Sequence, residues 1–272
     1  MIPARTTEIW GRYRPNPLQV WAIDQSERRP QSLWGSLCRR LVVSGLRQPL
    51  DVRRFGAKFR LYPTDNLCEK RALLSSAKFD RVERDLLSAR MHPKFKFVDI
   101  GANIGLYSLF VAAEAGPLAN ILAVEPQPVI QERLAFNIAA NPTANIVHVD
   151  CAVSDKKGVE RMGLALRNRG ASGFVLRSGK APDDVFMVET RALAELLTTY
   201  DMLGADALKM DIEGAEELVL PKYFAQTKPD DLPKLLILER NPAWKTDCIA
   251  LAEAHGYRQI ASAHMNVVLE KN

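Results

Sequence analysis

Three charged side chains alternate near the end of a buried run in the C-terminal half of the sequence. Lys209, Asp211 and Glu213 stand two residues apart, and Gly214 permits a turn directly after them. On a strand such residues face the same side, so an ammonium and two carboxylates would share one site. Glu239 ends the apolar run Leu-Leu-Ile-Leu and would enter the same cleft from the next strand. The predicted catalytic residues are therefore Lys209, Asp211, Glu213 and Glu239.

Two chemistries fit the three carboxylates of Asp211, Glu213 and Glu239, which we call together the carboxylate group, and the sequence leaves both open. In the first, Asp211 or Glu213 is a general base that removes a proton from an acceptor, with Lys209 tuning its pKa or orienting the acceptor. In the second, Asp211, Glu213 and Glu239 hold a divalent cation that acidifies the acceptor. No histidine joins them at ligand spacing, so the need for a metal stays unknown. A structural alternative is an ion pair between Lys209 and Asp211, with Glu213 capping the following helix.

A second group of residues surrounds a glycine turn. The segment Asp-Ile-Gly-Ala-Asn-Ile-Gly, residues 99–105, follows one predicted strand and precedes a predicted helix. Gly101 permits a tight turn and a close approach to a ligand, and Gly105 lets the helix pack closely on the strand. Asn103 replaces the second glycine of the dinucleotide-binding motif. The Asp99 carboxylate would repel a pyrophosphate but attract an ammonium or sulfonium charge. S-adenosylmethionine carries both, so Asp99, Gly101, Ala102, Asn103 and Gly105 are predicted to bind it.

The next two strand ends extend this predicted cofactor site. Glu125 ends the second strand and can accept hydrogen bonds from both ribose hydroxyls of a nucleoside, and Pro126 then turns the chain away. After the third strand, Asp150 would lie near an adenine amino group, with Cys151 and Ala152 against the ring. An aspartate at a strand end is also ordinary turn chemistry.

Strand and helix patterns alternate from residue 95 onward. Short apolar runs near 95–100, 121–124, 145–149, 207–210 and 235–238 are separated by helical patterns, and the segments 257–261 and 266–270 form a closing strand pair. This alternation predicts an α/β fold with a doubly wound, mostly parallel sheet and an antiparallel C-terminal strand pair. We predict two parts, a basic N-terminal extension or cap over 1–90, helical with a short hairpin, and a cofactor-binding domain over 91–272.

Four segments together resemble one enzyme family. They are Phe-Val-Asp-Ile-Gly-Ala-Asn-Ile-Gly at 97–105, Val-Glu-Pro at 124–126, Ala-Val-Ser-Asp at 152–155 and Lys-Met-Asp-Ile-Glu-Gly at 209–214. In this order and spacing they resemble the FkbM-type S-adenosylmethionine-dependent methyltransferases, from about residue 90 to the C-terminus. The resemblance implies a class I methyltransferase (Rossmann-like) fold and methylation of a hydroxyl on a sugar or polyketide-like natural product. One departure is Ala194, near the place where the family commonly has an aspartate.

Composition and charge narrow the alternatives. The 272 residues are 47% hydrophobic and 25% charged, as in ordinary globular proteins. No run approaches 18 apolar residues, no secretory signal is visible, and the four scattered cysteines are typical of reduced thiols. We therefore predict a cytoplasmic protein without a membrane span. Residues 1–94 contain 19 Lys and Arg against 9 Asp and Glu, whereas residues 95–272 contain 18 against 23.

The basic N-terminal segment suggests several roles. Its prolines predict only short regular structure before residue 31. A helical apolar stripe from Leu33 to Val42 would dock on the neighbouring domain or lie on a membrane surface. Five arginines, Arg12, Arg14, Arg53, Arg54 and Arg60, support the hypothesis of an anionic small-molecule or saccharide acceptor. The alternatives are a non-catalytic S-adenosylmethionine-binding scaffold and an RNA ribose methyltransferase, although nucleic acid is disfavoured because exposed aromatics for base stacking are missing. The oligomeric state is left open.

Overall fold

The computed structural model describes residues 7–44, 46–164, 173–174 and 184–272. The N-terminal part holds four helices and a strand pair: α1 (Pro17–Arg28), α2 (Leu33–Val43), β1 (Leu50–Arg54), β2 (Ala57–Leu61), α3 (Leu67–Leu74) and α4 (Arg81–Ser88). Among the described residues, no helix combines the length and the apolar character that crossing a bilayer requires.

The first helix corrects the expectation of only short structure before residue 31. Pro17 stands at the first position of α1, where its fixed φ and missing N–H favour a helix start. Asn16 and Gln19 form a reciprocal capping box, in which each side chain accepts a hydrogen bond from the other residue's backbone N–H at 2.9 Å. A proline that we took as a helix breaker therefore begins a helix of 12 residues.

The hairpin of β1 and β2 confirms the predicted hairpin but shifts its strand. The sequence pattern predicts a strand from Phe55, whereas Phe55 and Gly56 form the turn, with φ angles of 50° and 78°. Two successive residues with positive φ are typical of the type I′ turn that joins antiparallel strands. The second strand therefore begins at Ala57.

A seven-stranded sheet forms the centre of the molecule. Its elements, with the helices between them, are β3 (Lys96–Ile100), α5 (Leu106–Ala115), β4 (Asn120–Val124), α6 (Pro128–Ala139), β5 (Ile146–Val149), β10 (Ala207–Met210), α8 (Glu216–Gln226), β11 (Leu235–Glu239), α9 (Cys248–Ala254), β12 (Tyr257–Ala263) and β13 (Asn266–Lys271). The spatial order is β12-β13-β11-β10-β3-β4-β5. The pairs among β11, β10, β3, β4 and β5 are parallel, and β13 is antiparallel to both β11 and β12. The predicted fold class is confirmed, with its doubly wound, mostly parallel sheet and its antiparallel C-terminal strand pair.

A smaller sheet lies between β5 and β10 in the chain. It contains β6 (Ala152–Ser154), β7 (Gly158–Leu164), β8 (Gly173–Phe174) and β9 (Asp184–Ala192) in the order β6-β9-β7-β8, and α7 (Leu193–Thr199) follows it. The strands predicted near 159–166 and 186–190 correspond to β7 and β9, except that residues 165 and 166 lie outside the described residues.

Both faces of the central strands β3, β4, β10 and β11 are buried, which is why these strands are nearly continuous apolar runs. Phe97 points into a core shared with α5 and with residues of the N-terminal part, whereas the next residue, Val98, points into a core formed by α7, α8 and α9. The backbone of β2 is also held by α6, since Asn141 and Asn137 accept hydrogen bonds from the N–H groups of Lys58 and Arg60 at 2.9 and 2.8 Å. The division of the chain at residue 90 stays a prediction.

A buried ion-pair group joins α6 to the start of α3. The fully buried Arg133 guanidinium donates to the Asp65 carboxylate at 2.9 Å and to the Glu69 carboxylate at 2.7 Å. It also lies over the ring of Tyr62, 3.9 Å from the ring centroid. Charges this deeply buried are tolerated only when they are paired and hydrogen-bonded.

Arg133→Ala is expected to lower the free energy of unfolding by about 3–5 kcal/mol, because it leaves two buried carboxylates without their cation. Urea denaturation followed by circular dichroism measures the loss. Glu132→Ala is the matched control: it removes an exposed charge from the adjacent position of α6 and is expected to change stability by no more than about 0.5 kcal/mol. Equal stability of the two variants would contradict the structural role of this group.

Candidate active site

The carboxyl ends of β3, β4, β10 and β11 meet at one edge of the sheet, where ligands bind in open α/β folds. The register pairs Lys209 of β10 with Asp99 of β3. One step past the last paired residues of β10 and β11, Asp211 leaves its strand beside Glu239. The sheet register therefore brings together residues that are up to 140 positions apart in the sequence.

A cavity of about 280 Å³ opens at this edge. We call it the larger cavity. Its walls come from the strand ends, from β6 and β7, and from α3 of the N-terminal part, and they are formed by Leu67, Cys68, Arg71, Ile100, Gly101, Asn103, Val124, Glu125, Pro126, Cys151, Ala152, Val153, Met162, Asp211, Ile212, Glu213, Glu239 and Met265. The walls therefore combine apolar side chains with the carboxylates of Glu125, Asp211, Glu213 and Glu239.

Gly101 allows two strand ends to approach each other closely. Its φ is 76°, and a Cβ at this position would lie 1.9 Å from the carbonyl oxygen of Asp211. The predicted close approach is thus real, but the neighbour in the described structure is the backbone after β10. Any side chain at position 101 would push the carboxylate group away from the glycine turn.

Gly101→Ala is expected to cost at least about 2 kcal/mol more of unfolding free energy than Gly116→Ala, because only the first substitution adds a backbone clash. Gly116 is the matched control: its φ is 87°, and a Cβ there would meet nothing within 4 Å. Thermal or urea unfolding of both variants measures the difference. Similar losses would show that the backbone strain, and not the contact with Asp211, makes position 101 a glycine.

Glu125 lies at the carboxyl end of β4 with both carboxylate oxygens engaged. One oxygen accepts from the backbone N–H of Gln127 and the other from that of Asn103, both at 2.9 Å. Burial raises the pKa of Glu125 to about 7, against the lowering effect of these two hydrogen bonds. Each oxygen keeps a second lone pair for a ligand in the larger cavity.

The side chain of Asn103 links the glycine turn to the N-terminal part. Its φ is 51°, and its Oδ1 accepts from the N–H of Ile104 and from Nδ2 of Asn66, both at 2.9 Å. Asn66 is also the N-cap of α3. The start of α3 is therefore tied to the turn that shapes the larger cavity.

The three side chains of the carboxylate group lie close together, and the ammonium of Lys209 is paired with one of them. The Nζ atom of the buried Lys209 lies 3.0 Å from Oδ2 of Asp211. One carboxylate oxygen from each of Asp211, Glu213 and Glu239 lies within 4.8 Å of the others. Glu213 has a φ of 55°, a conformation that a non-glycine residue adopts only where its surroundings hold it.

These neighbours give the three carboxyls different pKa values. Burial alone would raise the pKa of Asp211, but the charge of Lys209 and hydrogen bonds from Glu239 and Lys209 lower it. Burial and the negative charge of Asp211 raise the pKa of Glu239 to about 9. Desolvation and then the charges of Asp211 and Glu216 raise the pKa of Glu213 to about 7. Near neutral pH, Asp211 is therefore ionised, Glu239 carries a proton, and Glu213 is close to its midpoint.

A smaller cavity of about 130 Å³ adjoins the first. The two share seven lining residues, which are Cys68, Arg71, Gly101, Asn103, Asp211, Glu239 and Met265. The smaller cavity also has the polar walls Asp80, Asp99, Tyr107, Lys209, His264 and Asn266. Asp211 and Glu239 thus lie where the two cavities adjoin, whereas Glu213 lines the larger cavity alone.

The structure brings most of the predicted site residues to these cavities. Glu213 lines the larger cavity, Lys209 the smaller one, and Asp211 and Glu239 both. Of the predicted cofactor residues, those in the larger cavity are Gly101, Asn103, Glu125, Pro126, Cys151 and Ala152. Asp99 and Ala102 line the smaller cavity. Their roles remain predictions.

Asp99 is almost fully enclosed. Its Oδ2 accepts from the hydroxyl of Ser108 at 2.6 Å, while Oδ1 has no hydrogen-bond partner among the described residues. Burial raises its pKa, although the adjacent Lys209 charge opposes this.

Two predicted cofactor residues lie elsewhere. Gly105 begins α5 with a φ of 85°, and a Cβ there would lie 2.7 Å from Leu134 of α6. The close packing is therefore between two helices and not between helix and strand as predicted. Asp150 is exposed and lines neither cavity, because the chain turns so that its neighbours Cys151 and Ala152 face inward.

The arginines behind the anionic-acceptor hypothesis also lie away from the two cavities. Arg60 is buried against Asp51, with its Nε 2.7 Å from the carboxylate. Arg54 donates to the backbone carbonyls of Ala72 and Leu73. These side chains hold the N-terminal part together, and the arginine that lines both cavities is Arg71, paired with Asp80 at 3.0 Å.

Sequence reasoning missed the contribution of α3 and of Glu216. Leu67, Cys68 and Arg71 form one wall of the larger cavity. Glu216 is fully buried and accepts from the N–H of Ile212 at 2.8 Å and from Nε1 of Trp244 at 3.1 Å, which holds the backbone that presents the carboxylate group. The capping role considered for Glu213 is not observed, since α8 begins after Ala215 without a side-chain cap. Asn66, a residue type preferred at helix N-caps, is the one sequence feature that indicates where α3 begins.

Comparison with known proteins places the chain in a family. The profile of the methyltransferase FkbM domain matches residues 99–259, which is more than half of the sequence; it covers three of the four segments in full and the first one from Asp99 onward. The chain belongs to the FkbM methyltransferase family. This confirms the family indicated by the four motifs.

Two curated relatives are similar to the chain in sequence. Methyltransferase sdnD of Sordaria araneosa is 33% identical over 153 aligned residues, and the match covers 45% of this chain and 58% of that protein. The 31-O-demethyl-FK506 methyltransferase FkbM of Streptomyces tacrolimicus is 28% identical over 194 residues, covering 60% of this chain and 72% of that protein. The chain thus spans little more than half the length of the Sordaria protein.

Solved structures give more distant similarity. Methyltransferase FkbM from Methylobacillus flagellatus is 15% identical with a TM-score of 0.43, over 92% of this chain and 58% of that one. TYW2 of M. jannaschii, solved in complex with AdoMet, is 15% identical with a TM-score of 0.41, over 84% and 89% of the two chains.

Proposed function

We propose that the protein transfers a methyl group from S-adenosylmethionine to a hydroxyl of a sugar or another small natural product. The observation that carries this proposal is the carboxylate group of Asp211, Glu213 and Glu239, which lies between two connected cavities. An alcohol is a weak nucleophile near neutral pH, so its methylation needs a group that removes the hydroxyl proton. The name of the Streptomyces relative, an O-demethyl-compound methyltransferase, is in accord with a hydroxyl acceptor.

The larger cavity has hydrogen-bond acceptors and apolar side chains that suit S-adenosylmethionine. The free lone pairs of Glu125 suit the two ribose hydroxyls, and apolar side chains including Ile100, Val124 and Val153 suit the adenine ring. When bound, S-adenosylmethionine supplies a methyl group on a positively charged sulfur. The carboxylates of Asp211, Glu213 and Glu239 in the wall of this cavity favour the positive charge of that sulfur.

We assign the role of base to Glu213. A general base acts best when its pKa lies near the working pH, and the pKa of Glu213 is about 7. Asp211 is held ionised by Lys209 and is a weaker base, whereas Glu239 already carries a proton. Lys209 thereby fixes the charge of Asp211, and that charge in turn raises the pKa of Glu213.

The metal alternative uses the same three carboxylates. Their oxygens are close enough to share a divalent cation. However, the ammonium of Lys209 already neutralises Asp211 at 3.0 Å. A divalent cation would therefore compete with Lys209 for the Asp211 carboxylate. We therefore favour the base over the metal.

The proposed reaction is tested by incubating the protein with S-adenosylmethionine and a panel of hydroxylated sugars and polyketides, and measuring S-adenosylhomocysteine release. We expect acceptor-dependent turnover that persists in the presence of EDTA. Turnover that EDTA abolishes and Mg²⁺ restores would favour the metal alternative over Glu213. Cofactor binding without turnover of any hydroxylated compound would favour the non-catalytic scaffold.

The junction of the two cavities, where Asp211 and Glu239 line both and Glu213 lines the larger one, is the proposed acceptor site, and Arg71 is its candidate for contact with an anionic acceptor. The Arg71 side chain is 43% exposed at the rim of both cavities. If the acceptor carries a phosphate or carboxylate, Arg71→Gln would raise its KM while leaving that of a neutral analogue unchanged.

A further inference from the structure

One face of the α1–α2 helix pair is apolar and exposed. On α2, Leu33 is 92% exposed, and Trp34, Leu37 and Leu41 are between 43% and 49% exposed. At 3.6 residues per turn these four side chains fall within about 100° of helix arc. The opposite side of α2 is already used, since Gly35, Cys38 and Val42 are buried. The predicted stripe from Leu33 to Val42 is therefore split, and only half of it docks on the chain itself.

The exposed face continues from α2 onto α1. The rings of Trp21 and Trp34 meet edge to face with centroids 6.0 Å apart. Trp21 is 42% exposed although it lies in this contact. Two adjoining tryptophans beside exposed leucines form an apolar surface larger than scattered single side chains would give.

The charged residues of α2 and of the segment that follows it are all basic. From Pro30 to Leu50 the sequence contains Arg39, Arg40 and Arg47 and no acidic residue. Arg40 borders the exposed stripe on α2, three residues after Leu37 and one before Leu41. The two acidic residues of the C-terminal half of α1 are engaged elsewhere, Asp24 with Arg28 at 2.9 Å and Glu27 with Ser76.

We propose that the α1–α2 face binds the surface of an anionic phospholipid bilayer. Tryptophan rings favour the boundary between headgroups and acyl chains. Exposed leucines on a helix lying in that boundary add apolar burial, and neighbouring arginines add attraction to anionic headgroups. A neutral apolar partner would not use the arginines, and a nucleic acid would not use the leucines. The combination on one face fits an anionic bilayer best.

The proposal is tested by sedimentation of the full chain with vesicles of phosphatidylcholine alone or mixed with phosphatidylglycerol. We expect binding to the mixed vesicles and little binding to the neutral ones. Leu37→Glu/Leu41→Glu and, separately, Arg39→Gln/Arg40→Gln are each expected to weaken binding by about 10-fold or more. Leu118→Glu is the matched control, since Leu118 is 62% exposed in the turn before β4, and this variant is expected to bind like the wild type.

Circular dichroism and calorimetric cofactor binding verify that every variant is folded. A blue shift of tryptophan fluorescence with mixed vesicles, reduced in Trp34→Phe, would give direct support. Absence of binding to mixed vesicles at low salt would overturn the proposal. It would also be overturned if Leu118→Glu weakened binding as much as the α2 variants, or if the wild type formed a dimer that Leu37→Glu/Leu41→Glu dissociates, because a second copy would then cover this face.

Discussion

Glu125→Ala is expected to weaken S-adenosylmethionine binding by about 100-fold. The reason is the loss of a charged acceptor at the end of β4, where two ribose hydroxyls would each donate to it, and hydrogen bonds to charged groups are the stronger ones. A 100-fold loss corresponds to about 2.7 kcal/mol. Isothermal titration calorimetry of the wild type and the variant measures it directly.

Asp150→Ala is the control for this prediction. Both residues follow neighbouring parallel strands and were assigned to the cofactor on the same reasoning, but Asp150 is exposed and lines neither cavity. Its substitution is expected to leave the affinity within about 2-fold of the wild type. Comparable losses in both variants would contradict the position of the cofactor in the larger cavity.

The affinity is also expected to depend on pH. Burial raises the pKa of Glu125 to about 7, and the ionised form is the better acceptor for hydroxyl donors. Binding should therefore weaken as the pH falls from about 8 to about 6, and Glu125→Gln should remove that dependence.

Glu213→Gln is expected to lower kcat by at least about 100-fold with little change in KM for the cofactor, because general base catalysis contributes that much or more. Glutamine keeps the size and hydrogen bonding of the side chain but cannot accept the proton. Single-turnover assays with a productive acceptor measure the effect. Glu253→Gln, at an exposed position of α9, is the control and is expected to be fully active.

The pH profile separates a base from a residue that merely shapes the site. With Glu213 as the base, kcat should rise as the pH passes through about 7, since the deprotonated form is the active one. Asp211→Asn removes the negative charge that raises this pKa, so the rise should move to lower pH. A profile that is flat through neutral pH, or that keeps its midpoint in Asp211→Asn, would argue against this assignment.

The sequence by itself was sufficient for the fold class and the family. The alternation of apolar runs and helical patterns predicts the parallel strands, and four short segments at strand ends mark the site. This works because backbone pairing places consecutive carboxyl ends of parallel strands at one edge. Asp99, Glu125, Asp211 and Glu239 could therefore be placed at that edge without any knowledge of side-chain contacts.

The sequence was less informative about the direction in which individual side chains point and about whether they are exposed to solvent. Asp150 and Glu125 have the same type of position, and only the path of the chain after each strand decides that one faces solvent and the other the larger cavity. The sequence likewise does not show which of the five N-terminal arginines are used in internal ion pairs. Arg60 pairs with Asp51 because the register of the hairpin places the two residues opposite each other.

Only the tertiary structure showed that the N-terminal part builds the site. Leu67, Cys68 and Arg71 reach the larger cavity because Arg133 of α6 pairs with Asp65 and Glu69 beside them. The tertiary structure also makes the three carboxyls different from one another. Asp211, Glu213 and Glu239 are equivalent by residue type, and their pKa values diverge through burial and through the distance of each from Lys209. Periodicity and motif spacing record which backbone positions share a strand or a helix, whereas burial and charge proximity arise only when distant segments pack together.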